Sequence, residues 1–123
     1  MAFRERNDGP RRTEVIDTVA ELFRVMAHPS RVRILALLHE ADRDVSELTH
    51  HLGLSPANVS QHLALLRSHH LVSGRREGTH MHYSLRDPRM AEVINRMLDI
   101  LAEDVAHGAE LRRAIERVRL RPN

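Results

Sequence analysis

Gly53-Leu54-Ser55-Pro56-Ala57-Asn58-Val59-Ser60-Gln61-His62-Leu63 is the stretch that decides how this chain folds. Glycine adopts the left-handed conformation that ends a helix. Serine accepts a backbone N–H at a helix start, and proline suits the first helical position, where its missing N–H has no partner to lose. The stretch therefore predicts a short helix closing at Gly53, a turn, and a second helix capped by Ser55. In that second helix Val59, Leu63 and Leu66 share one face at helical spacing and must pack on a core. Asn58, Ser60, Gln61 and His62 are left for other faces. Side chains of this kind reach the donors and acceptors that base edges present in a DNA major groove.

Downstream, residues 71–76 and 80–85 alternate as two strands paired about Glu77-Gly78-Thr79. Met81, Tyr83 and Leu85 fall on one strand face, and His80, His82 and Ser84 on the other. Arg75 and Arg76 sit beside the turn. Two short helices joined at a glycine, followed by an arginine-bearing hairpin, predict a winged helix-turn-helix in a mainly α chain. Ala57, Asn58, Ser60, Gln61 and His62 would face the groove. Arg75 and Arg76 would hold phosphates or enter a minor groove.

Around this unit the pattern is helical. Residues 1–12 read as a loose polar arm. Thr13 caps a helix to Ala27 with Val15, Val19, Leu22, Phe23 and Met26 at helical spacing, and His28-Pro29 stops it. Ser30 caps a second helix, Arg31 to Glu40, and 41–44 is a connector. A third helix, Ser46 to Leu52, precedes the opening stretch. Asp87-Pro88 starts a fifth helix striped by Met90, Ile94, Met97, Leu98, Leu101 and Val105. The domain proper is thus 13–107, and Gly108 opens a basic helical extension, 108–123. The apolar first and fifth helices exceed what one small core needs, which predicts a dimer interface.

Bulk properties narrow the class. A chain of 123 residues suits one domain, and only Phe3, Phe23 and Tyr83 are aromatic, so the core is aliphatic. With no cysteine there are no disulfides, thiolate metal sites or thiol sensors. The charged start and the short apolar runs predict a cytoplasmic protein with no membrane partner. Net charge is only +2, but its distribution is uneven. The segment 45–86 is basic, 87–110 carries six acids against Arg89 and Arg96, and five arginines follow against Glu116. Such asymmetry orients a nucleic-acid binder.

Ala27-His28-Pro29-Ser30-Arg31-Val32-Arg33-Ile34-Leu35, Val45-Ser46-Glu47-Leu48, Val59-Ser60-Gln61-His62-Leu63 and Tyr83-Ser84-Leu85, in that order, resemble ArsR/SmtB-type bacterial repressors. The resemblance covers roughly residues 15–105. It implies a homodimer of winged helix-turn-helix subunits that blocks transcription on a palindromic double-stranded operator until an effector releases it. It also implies where metal sensing would sit. The family's thiolate site would fall near Asp44-Val45-Ser46-Glu47, where no cysteine stands. Its second site would fall on Asp87, Arg89, Ile100 and Glu103, of which only the carboxylates match. The inherited metal site is therefore expected to be absent, no cofactor is implied, and the effector is unidentified.

Asp87, Glu103 and His107 form a displaced metal candidate, and His80-x-His82 has a chelate-like spacing. His50-His51 and His69-His70 are adjacent pairs and weak ligand sets. Two alternatives to the leading reading stand: a zinc, nickel or cobalt sensor using such a non-family site, and a winged-helix protein-interaction module. An enzyme is not expected, because no nucleophile–base pair, phosphate-cradling loop or intact ligand set stands in the chain.

Overall fold

The computed structural model describes residues 11–103 and 108–122. Helices α1 (Arg12–Met26) and α2 (Pro29–Glu40) lead to strand β1 (Arg43–Asp44) and the helix pair α3 (Val45–Leu52) and α4 (Pro56–Ser68). The hairpin β2 (Val72–Glu77) and β3 (His80–Leu85) follows, then α5 (Met90–Ala102) and α6 (Gly108–Val118). The three strands form one antiparallel sheet in the order β1-β3-β2. This is a winged helix-turn-helix.

The core lies where α2, α3 and α4 meet the base of the hairpin. Ile34, Leu35, Leu38, Leu48, Val59, Leu63, Leu66, Leu71 and Val72 are all at most 7% exposed. All are aliphatic, as the scarcity of aromatics requires. From α1 only Val25 is buried. Val15, Ile16, Val19 and Phe23 remain exposed, so most of that helix's apolar surface is not used within the subunit.

The turn between α3 and α4 forms for the reasons legible in its residues. Gly53 takes φ 68° and its N–H reaches the Thr49 carbonyl. Ser55 Oγ accepts from the Asn58 N–H at 3.2 Å, with Pro56 opening α4. At the other end of α3, Asp44 Oδ1 accepts from Glu47 N–H at 2.8 Å while Glu47 Oε1 accepts from Asp44 N–H at 3.2 Å. This reciprocal cap satisfies two donors that a helix start leaves unpaired.

Several boundaries differ from expectation. Helix α1 begins at Arg12 rather than after Thr13, so Arg12 is not part of the arm, and residues 1–10 lie outside the described residues. His28, not Ser30, caps α2: its Nδ1 accepts from Ser30 N–H at 3.1 Å, with Pro29 at the first helical position. Proline there is pre-set for the helix, which moves the start two residues earlier. Segment 41–44 is more than a connector, since Arg43 pairs with Tyr83 and Asp44 with His82. Asp87 does not cap α5 directly; its Oδ1 accepts from Arg89 N–H at 2.9 Å and the helix starts at Met90.

The seat of α4 rests on three side chains, so shortening one should show. Leu63 is 1% exposed. Leu63→Ala should lower unfolding free energy by about 2–5 kcal/mol, read as a lower urea midpoint at unchanged slope. A loss well under 1 kcal/mol would mean α4 is not held by this face.

Candidate nucleic-acid interface

With Val59, Leu63 and Leu66 turned inward, the opposite face of α4 is presented to solvent. Ala57, Asn58, Ser60 and Gln61 are all exposed. His62 is not among them. It is half-buried, and its ring lies on His28 with centroids 4.6 Å apart, tilted by 55°. Burial holds the His62 imidazole below its ordinary pKa, with lesser contributions from His28 and the Arg31 guanidinium. The Nε of Arg31 is itself buried with no hydrogen-bond partner among the described residues. His62 therefore sits on the flank of α4, between the buried stripe and the exposed face.

The hairpin projects beside α4. Its register pairs Gly74 with Tyr83, Arg75 with His82, Arg76 with Met81 and Glu77 with His80, and Gly78 turns at φ 62°. At the hairpin root the chain passes tightly over its neighbours. A Cβ on Gly74 would stand 2.9 Å from Met81 Cε, 3.2 Å from the Tyr83 ring and 3.3 Å from Arg67 Nη1. Only glycine fits there without displacement.

The two wing arginines differ in environment. Arg76 is exposed, with no ion pair among the described residues. Arg75 binds Glu77 Oε1 through Nε and Nη2, both at 3.1 Å, and its Nη1 lies 3.6 Å from Asp42. His82 stands 3.5 Å from the other Glu77 oxygen, and His80 3.9 Å from Asp44. The sheet thus brings Arg75, Arg76, His80 and His82 onto one small wing. It also brings Arg67 of α4 to the wing root, a cation that was not singled out from the sequence. The signal was present: Arg67 follows Ser60 by seven residues, two helical turns along the same exposed face.

The family model for bacterial regulatory proteins of the arsR family matches residues 28–73, which run from the cap of α2 into the first wing strand. The HTH-type transcriptional regulator Rv0081 of Mycobacterium tuberculosis is 45% identical over 84 residues, 68% of this chain and 74% of that protein. The chain belongs to the ArsR family. The crystal structure of Rv0081 superposes with a TM-score of 0.69 at 40% identity, covering 76% of this chain and 94% of that one. A probable mercury resistance operon repressor of Streptomyces lividans is 36% identical over 90 residues, 73% of this chain and 72% of the relative. The homodimeric winged helix-turn-helix DNA-binding domain of Mb0332 from Mycobacterium bovis, solved by NMR, superposes with a TM-score of 0.71 at 28% identity. It covers 82% of this chain and 94% of its own. Membership places the chain among DNA-binding transcriptional regulators and not among enzymes.

At the positions where the resemblance would place metal ligands, the side chains are engaged otherwise or offer no ligand atom. Asp87 is clasped by Arg89, whose Nη2 lies 2.7 Å from one carboxylate oxygen and whose Nε lies 3.1 Å from the other. The Arg89 side chain, then its backbone N–H, lower the Asp87 pKa to about 2. A guanidinium already occupies the place a cation would take. Ile100 is 64% exposed and offers no ligand atom. Glu103 is exposed, and His107 lies outside the described residues. Among the described residues, no group of three or more His, Asp or Glu side chains is arranged to hold a metal ion. The adjacent histidines are engaged elsewhere: His51 meets Arg43 Nη1 at 3.0 Å, and His69 lies 3.6 Å from Glu21 of α1. Among the described residues, no helix is long and apolar enough to cross a membrane.

The burial of His62 makes stability depend on pH with a definite sign. The folded state holds His62 below its ordinary value of 6.5, so the unfolded chain takes up its proton first as pH falls. The contribution is complete above that ordinary value and is lost as pH drops toward the lowered one. Urea midpoints should therefore fall between about pH 7.5 and 5.5, and His62→Gln should show a shallower fall. Parallel profiles for the two proteins would remove His62 from the account.

Proposed function

We propose that this chain is a cytoplasmic, homodimeric repressor that reads a palindromic double-stranded operator through α4 and grips its backbone with the wing. The observation that carries this is the two-faced α4. Its apolar face is sealed in the core, which leaves Ala57, Asn58, Ser60 and Gln61 as a polar reading surface beside Arg67, Arg75 and Arg76. An interface for another protein would present an apolar centre at this place, and this one does not.

Dimerisation is supported by what α1 and α5 leave uncovered. Phe23 is 53% exposed, Met97 57% and Ile100 64%, and with the exposed Val19, Val93 and Leu101 they give α1 and α5 an apolar strip. Between the two helices runs a groove of about 440 Å³ lined almost wholly by apolar side chains. A second copy would cover this strip and set two α4 helices one DNA turn apart, about 34–36 Å. The name of Mb0332 as a homodimeric relative agrees with this assembly. Release of the operator runs through an effector other than the family's metals, because Arg89 and Ile100 take the place of ligands.

Four measurements test the reading. Ser60→Ala with Gln61→Ala should weaken operator binding by about 1–3 kcal/mol per lost base contact and leave random-sequence binding nearly unchanged. Equal losses on both DNAs would show that α4 does not read sequence. Arg76→Ala should shrink the slope of log affinity against log salt by about 0.9 on every duplex. Met97→Glu with Ile100→Glu should yield monomers in sedimentation; an intact dimer would place the interface elsewhere. Zinc, nickel or cobalt that binds in dialysis and also releases operator would replace this reading with a metal sensor. Failure to bind any duplex would favour a protein-interaction module.

A further inference from the structure

Residues 119–121, just after α6, are held against the subunit by specific contacts. Ile115 is 3% exposed and seats α6 within the subunit. Beyond Val118 the chain runs back along α5 to the end of α2. Asn95 of α5 binds both backbone groups of Leu120: its Nδ2 donates to the Leu120 carbonyl at 2.7 Å, and its Oδ1 accepts the Leu120 N–H at 2.9 Å. One turn further along α5, Asp99 Oδ1 meets Arg119 Nη1 at 2.8 Å. This hydrogen bond holds the Asp99 carboxyl below its ordinary range. On α2, the buried His39 Nε2 meets the carbonyl oxygen of Arg121. The Leu120 side chain is half-buried between these contacts.

Taken together, these contacts have the form of peptide recognition. A paired amide reads the backbone of one residue in both directions, which fixes register. A carboxylate selects a cation at the preceding residue. A ring nitrogen reads the following carbonyl. Side-chain amides that meet both groups of a residue do so only when the backbone offers its N–H and C=O on one side, free of intrachain bonds. The seat also spans two elements with different tasks, because α5 carries the exposed apolar strip and α2 carries the core face on which α4 rests.

We propose that Asn95 and Asp99 of α5, with His39 of α2, form a docking site for a peptide of the type Arg-Leu-Arg, occupied by the chain's own residues 119–121. Occupancy ties α5 to α2 and so fixes the angle between the dimer interface and the reading head. This second clause rests on the DNA-binding, dimeric reading proposed above; the docking site itself does not.

Asn95 is the residue to change, in the full-length protein. Asn95→Asp keeps the acceptor for the Leu120 N–H but sets a carboxylate against the Leu120 carbonyl. Asn95→Ala removes both bonds. Amide hydrogen exchange, read by NMR, should show the Leu120 N–H exchanging at least about tenfold faster in both variants, while Val59 and Leu63 of α4 keep their protection. A charge reversal gives an independent arm: Asp99→Arg should also release Leu120, and adding Arg119→Asp should restore its protection. Unchanged Leu120 exchange in the Asn95 variants, or no recovery in the double reversal, would overturn the docking site. For the coupling, binding to a random-sequence duplex should weaken by about fivefold or more in Asn95→Ala, with the dimer constant in sedimentation unchanged. Wild-type affinity in a variant whose tail is released would overturn the coupling. A wild-type protein that binds no duplex would instead overturn the DNA reading, and the exchange result would still decide the site.

Discussion

The one-sided burial of α4 is the constraint on which the other features depend. Val59, Leu63 and Leu66 are fully enclosed against Ile34 and Leu35 of α2 and Leu48 of α3. Each such side chain removed from water contributes about 1.5–3 kcal/mol, so rotating α4 about its axis would forfeit several kcal/mol at once. Among the described residues no surface contact is comparable, since exposed ion pairs of the Arg75–Glu77 kind contribute about 0–1 kcal/mol. The rotation of α4 is therefore set from inside. Which residues α4 leaves exposed follows from which residues cannot leave the core.

The same constraint explains the two exceptional residues beside the exposed face of α4. His62 falls at the edge of the buried stripe, so it is drawn onto His28 and cannot project with Ser60 and Gln61. Arg67, two turns after Ser60, is carried to the root of the wing, where Gly74 leaves room for it. Helix and hairpin form one surface because α4 ends only a few residues before β2 begins. The acids of α5 lie outside the reading face, and Asp87 is neutralised within its own subunit by Arg89.

What was legible in the sequence was local. Gly53, Ser55 and Pro56 each fix backbone geometry through their own covalent structure, so the turn and the start of α4 are found where these residues predict. The hairpin was equally open, because alternation about Gly78 has a period of its own. Strand β1 was not, since two residues carry no period and Arg43 and Asp44 become a strand only by pairing with β3. The α2 cap was misplaced because serine is the usual cap, whereas the His28 ring here does the accepting. The wing arginines stand side by side on β2, as the hairpin pattern predicts, but the pairing of Arg75 with Asp42 depends on β1 and was hidden with it. Least legible was the tail: Asn95 and Leu120 stand 25 residues apart and meet only because α6 folds back on α5.

The central claim is that two copies of α4, each held by the same buried face, read DNA as a two-fold pair. Selection of bound duplexes from a random pool, followed by hydroxyl-radical footprinting on the enriched sequence, tests it most directly. The account predicts an inverted repeat whose half-sites are centred about 10–10.5 base pairs apart, with backbone protection on one face of the helix. Enrichment of a single unpaired half-site, or no enrichment above the starting pool, would contradict it.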